Sequence, residues 1–145
     1  MKIKKMILVT LMLFGCLVNL SAGGFSETKK IEQTDVTTIT VELFFENLTV
    51  STCKGNQIDI VFESNKKDII PEVKSENKTL QILTGYPFGK AEDKDSFCNI
   101  SLMLPENYLA EKIVLKVPYG ILDIKNLKAK SVSITPGPDN FLENI

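Results

Sequence analysis

The segment Ile113–Thr135, IVLKVPYGILDIKNLKAKSVSIT, decides the fold. Its apolar residues recur at alternate positions in three short runs: Ile113, Leu115 and Val117; Leu122 and Ile124; Val132 and Ile134. Period two with β-branched residues marks strands that bury one face. Two turns separate the runs, the first at Tyr119-Gly120.

The segment has a copy upstream. On a shift of 74 residues Ile39 meets Ile113, Val41 meets Leu115 and Leu43 meets Val117. Phe45 meets Tyr119, Leu48 meets Leu122 and Val50 meets Ile124. Cys53 meets Leu127, Ile58 meets Val132 and Ile60 meets Ile134. Nine apolar positions coincide over 22 residues without a gap, and the bend and turn length are kept. Within each copy the first and third strands lie 19 residues apart, Ile39 to Ile58 and Ile113 to Val132. A unit of about 20 residues matches one turn of a stacked β-solenoid, whose coils bury their inner faces only by stacking. The spacing predicts a short right-handed β-solenoid or β-roll. The alternative is a β-sandwich whose halves share hairpins.

The rest of the chain is compatible with either. Alternation at Ile58, Ile60 and Phe62 gives one strand, and Phe97–Leu104 another. Val73–Ser75 and Leu80–Leu83 flank Glu76-Asn77-Lys78 as a hairpin. No segment keeps a helical period, and Tyr108–Lys112 is too short to stand as a helix. The chain is therefore expected to be all-β.

The N-terminus reads as a targeting segment. Lys2, Lys4 and Lys5 precede an apolar run, Met6–Leu20, which is short for a membrane span, and small residues follow at Ser21, Ala22 and Gly23. Residues 1–23 are the expected signal peptide, 24–35 a linker or ragged first strand, and 36–145 the domain. Leu13-Phe14-Gly15-Cys16 offers a second processing route, in which Cys16 is lipidated and tethers the protein to a membrane. Export places two mature cysteines, Cys53 and Cys98, where they either pair in a disulfide or sit as small buried apolar side chains.

Composition narrows the chemistry. The 145 residues include no histidine, tryptophan or arginine. Without residues 1–23 the chain holds 14 lysines against 18 acids, a net charge of −4. Nucleic acid is excluded as an expected partner, since neither a guanidinium fork nor a basic surface is present. Serine–histidine and cysteine–histidine catalysis and histidine-containing zinc sites are excluded as well. No phosphate-cradling or dinucleotide motif occurs, so neither a cofactor nor an enzymatic role is expected. Glu92, Asp93 and Asp95 alternate with Lys90 and Lys94 and read as a solvated loop. Glu42 and Glu46 read as outward strand and turn residues.

One loop stands out, Thr84–Ser96, TGYPFGKAEDKDS. Its Tyr86, Pro87 and Phe88 either mark a binding surface or fold over the core. The C-terminal FLENI leaves an apolar edge after the last coil, which either pairs with another subunit or folds back.

The opening segment, with what precedes it, resembles the bacterial putative adhesin family of cell-envelope β-solenoid domains. The resemblance lies in Leu104-Pro105 with Leu109, in Ile113–Val117, in Tyr119-Gly120, in Leu122–Ile124, and in Asn126-Leu127 before Val132–Ile134. Val41–Ile60 fits the family's first coil, and coverage runs from about Thr38 to Ile145. The resemblance implies an exported periplasmic, surface or secreted scaffold, either adhesive and binding or a sensor of the envelope, with no catalytic residues to carry over. The chain departs from the family in having fewer coils, and at Phe45-Glu46 it lacks the corner glycine.

Overall fold

The computed structural model describes residues 24–86, 95–138 and 140–143. Their strands, in chain order, are β1 (Phe25–Glu32), β2 (Thr38–Glu42), β3 (Asn47–Cys53), β4 (Gln57–Ser64), β5 (Glu72–Glu76), β6 (Thr79–Leu83), β7 (Cys98–Pro105), β8 (Ala110–Val117), β9 (Leu122–Lys125), β10 (Ala129–Pro136) and β11 (Asn140–Glu143). Two 3-10 turns, Gln33–Asp35 and Lys67–Ile69, complete the elements, and no α-helix occurs among the described residues. The protein is all-β.

The strands form two mixed sheets. One has six strands in the order β1-β4-β7-β3-β9-β11, the other five in the order β10-β8-β2-β6-β5. The alternating apolar residues of both line a single core, with Ile39, Val41, Leu48, Val50, Ile113, Leu115, Leu122 and Ile124 fully buried. Outer positions carry Thr, Ser, Lys and Glu, as half-buried strands require.

The central ladders are parallel, and their register reproduces the 74-residue shift. Ile39 lies opposite Ile113 and Val41 opposite Leu115 in the five-stranded sheet. Leu48 lies opposite Leu122 and Val50 opposite Ile124 in the six-stranded sheet. The 19-residue offset also appears as a ladder, with Val132 opposite Ile113 and Ile134 opposite Leu115. The chain crosses from one sheet to the other at every connection except β3–β4 and β5–β6.

The correspondence stops after Cys53. Ile58 and Ile60 lie on β4, which runs antiparallel to β7 in the six-stranded sheet. Their counterparts Val132 and Ile134 lie in the other sheet, parallel to β8. The chain reverses at Lys54-Gly55-Asn56, where Gly55 takes φ +111°, a left-handed conformation natural to glycine. The arms of this reversal are not neighbours, because β7 lies between β3 and β4.

The segment 24–35, expected as a linker or ragged strand, contains a full edge strand. β1 pairs antiparallel with β4 along its whole length, from Phe25 opposite Ser64 to Glu32 opposite Gln57. The folded unit therefore includes Phe25, not only residues from 36 onward. The hairpin around Glu76-Asn77-Lys78 is present, with β5 antiparallel to β6. Asn77 and Lys78 take φ +51° and +62°, as a tight two-residue hairpin turn requires.

A disulfide between Cys53 and Cys98 is overturned by register. Both thiols are free. Cys53 lies opposite Pro105, at the far end of β7 from Cys98. Seven residues of extended strand separate these levels, roughly 23 Å at about 3.3 Å per residue. A bridge requires Cα atoms within about 7 Å. Residues 1–23, including Cys16, lie outside the described residues.

Candidate functional site

Three turns stack at one edge of the molecule: Leu43–Asn47 after β2, Thr84–Tyr86 after β6 and Pro118–Ile121 after β8. Backbone bonds run between them. Leu43 N donates to Lys116 O at 2.9 Å, Tyr119 N to Phe44 O at 3.2 Å and Leu48 N to Ile121 O at 2.9 Å. On the other side Thr84 N donates to Glu42 O at 2.8 Å. A Cβ on Gly120 would lie 1.8 Å from Glu46 O. Only a residue without a side chain lets these two turns approach so closely.

Glu46 organises this corner. It reads from sequence as an outward turn residue, yet it is 0% exposed. One carboxylate oxygen accepts the Phe44 amide at 2.7 Å. The other accepts the Thr84 hydroxyl at 2.6 Å and the Gly85 amide at 3.1 Å. Thr84 Oγ1 in turn accepts the Tyr86 amide at 3.1 Å. Burying a carboxylate is costly unless donors replace its water; here three donors from two separate turns do so. Glu46 therefore ties the start of the 84–96 loop to the β2–β3 turn.

The same corner holds a row of aromatic rings. Phe45 meets Tyr86 edge-on at 5.4 Å and Tyr119 at 5.5 Å, and Phe44 lies 6.5 Å from Phe45. The row runs from inside to outside. Tyr86 is buried, with its hydroxyl 3.4 Å from Ser96 Oγ, whereas Tyr119 is 67% exposed. Of the loop residues singled out from sequence, Tyr86 belongs to the core and is no contact surface; Pro87 and Phe88 lie outside the described residues.

The exposed member of the row has apolar company. Ile121 on the same turn is 43% exposed, and Phe141 and Leu142 on β11 are 63% and 40% exposed. Phe141 lies opposite Asp123, two residues beyond Ile121. Four of the six exposed large apolar side chains among the described residues thus fall between Tyr119 and Leu142; the others are Phe97 and Leu109.

The cysteines are chemically quiet. Burial, helped by the nearby Glu46 charge, pushes the Cys98 thiol up to about 12. Burial first, and then the Asp59 charge, raises Cys53. Cys53 lines a shallow cleft with Lys54, Gly55, Asn56, Glu106 and Asn107, and a protonated thiol there is a poor nucleophile. Among the described residues no group of three or more His, Cys, Asp or Glu side chains is placed to hold a metal ion. Glu92 and Asp93 of the acidic loop lie outside them.

No protein-family model matches the sequence, and no curated protein matches it. Solved structures do match. A putative cell adhesion protein from Clostridium sporogenes superposes with a TM-score of 0.60 at 18% identity, covering 75% of this chain and 55% of that one. This chain shares its fold. The resemblance to putative adhesins carried by Ile113–Thr135 is thus met by a solved protein of that description. A putative adhesin from Bacteroides fragilis, at TM-score 0.45 and 13% identity, covers 82% of this chain and 62% of its own. The chain spans little more than half the length of the clostridial protein.

Proposed function

We propose that this is an exported bacterial module of adhesion or binding type, without catalytic activity, built as a short β-roll of stacked coils. The fold shared with the putative cell adhesion protein of Clostridium sporogenes carries this reading. The β-roll is supported by the two sheets' matching orders. The pairs β10/β11, β8/β9, β2/β3 and β6/β7 occur in the same spatial sequence in both sheets, always through parallel ladders. Export is supported by the lysines and apolar run of residues 1–23. The absence of histidine supports a non-catalytic role.

The contact surface is the Tyr119 corner. Tyrosine offers a large amphipathic face at low entropic cost and is enriched where interfaces concentrate their energy. The Glu46 network holds the turn beneath it rigid, so little order has to be imposed on binding. Purified mature protein should bind whole bacterial cells or immobilised matrix. Tyr119→Ala should weaken that binding at least about tenfold, the loss of a modest hot spot, with an unchanged melting curve. Undiminished binding by folded Tyr119→Ala would move the contact elsewhere. A wild-type protein that binds neither surface would remove the adhesion reading.

A further inference from the structure

The two ends of the sheets differ. At one end the edge strands are β1 and β5. β5 reads Glu-Val-Lys-Ser-Glu, and β1 carries Glu27, Lys29, Lys30 and Glu32. Charges on an edge strand block pairing with another chain. At the other end the edges are β10 and β11. β10 has one charged residue, Lys130, which its own chain neutralises through Glu111 at 2.8 Å. Val132 and Ile134 lie in register with the fully buried Ile113 and Leu115, so they face the core side, yet they are only half-buried. Leu142 on β11 stands in the same relation to buried Ile124.

We propose that this end recognises a second copy of the same chain, with β10 pairing antiparallel to the partner's β10 about a two-fold axis at Ser133. The occupant follows from the sequence of the strand, which is self-complementary about that residue. Antiparallel pairing centred there sets Val132 against Ile134 on the core side and Ser131 against Thr135 on the outer side, with Lys130 against Pro136. Apolar meets apolar, hydroxyl meets hydroxyl, and no like charges face each other. An isologous contact needs this property, since each side must complement itself. The pairing would satisfy the free edge of β10 and complete the burial of Val132 and Ile134. It uses different residues from the Tyr119 corner and stands or falls independently of the adhesion reading.

The test is sedimentation of the mature chain over a concentration series. Wild type should form a dimer. Val132→Glu and Ile134→Lys each place an unpaired charge in the joint and should each weaken dimerisation at least about a hundredfold. Mixing the two variants should restore a dimer, because this register sets the introduced carboxylate of one chain against the introduced ammonium of the other. Circular dichroism and melting curves of both variants should match wild type, which separates lost association from lost folding. A wild type that stays monomeric at the highest attainable concentration overturns the proposal, whatever else binds the end. So do single variants that still dimerise, or folded variants whose mixture stays monomeric.

Discussion

Glu46 shows how much one side chain can decide. Its carboxylate fills the space between two turns and takes donors from Phe44, Thr84 and Gly85. Glu46→Ala leaves those donors buried without an acceptor, and each orphaned group costs about 1–3 kcal/mol. Urea denaturation should show a loss of at least about 3 kcal/mol, with Glu46→Gln intermediate because its amide oxygen still accepts. A second residue-scale effect concerns alkali. Burial raises Cys98 from 9.0 to about 12 and Tyr108 from 10.0 to about 12. Tyr108 also donates its proton to the Val36 carbonyl at 2.9 Å. Both groups hold their protons more tightly folded than unfolded. Their contribution is complete below about pH 9 and is lost as pH rises toward 12. Melting temperature should fall across about pH 9–12 more steeply in wild type than in Cys98→Ala or Tyr108→Phe.

At the scale of elements, β1 tests how the sheet is closed. It pairs with β4 over eight residues and covers what would otherwise be an edge carrying Ile58, Ile60 and Phe62. Removing Phe25–Glu32 should cost about 2–8 kcal/mol, given eight cross-strand pairs at about 0.2–1 kcal/mol each. Light scattering should report aggregation of the truncated chain through the bared β4 edge. A truncated protein with the wild-type urea midpoint would show that β1 only decorates the sheet. Elements also mark where reading from sequence succeeds and fails. Alternation at Ile39–Leu43 and Ile113–Val117 reports strands and buried faces, and equal spacing reports that these strands correspond. Alternation says nothing about which sheet receives a strand. Ile58 and Ile60 carry the same pattern as Val132 and Ile134, yet one pair turns back beside β7 and the other lies along β8. The site was less legible for the same reason. Glu46 is buried by Thr84 and Gly85, 38 and 39 residues away, and Tyr86 is drawn inward by Phe45. No local pattern encodes either encounter.

For the whole molecule, what matters is that spatial order departs from chain order. β2 lies between β6 and β8, and β3 lies between β7 and β9. Every strand flanking this central pair comes later in the chain. Glu42, at the end of β2, meets Lys116 across 74 residues of sequence. The central pair is thus made before the strands that enclose it. Such long-range closure slows folding, because loop entropy must be overcome before distant strands can reward it. The flank of β2 that β8 covers stays open until Ala110–Val117 has been made, so the central layer closes late in synthesis.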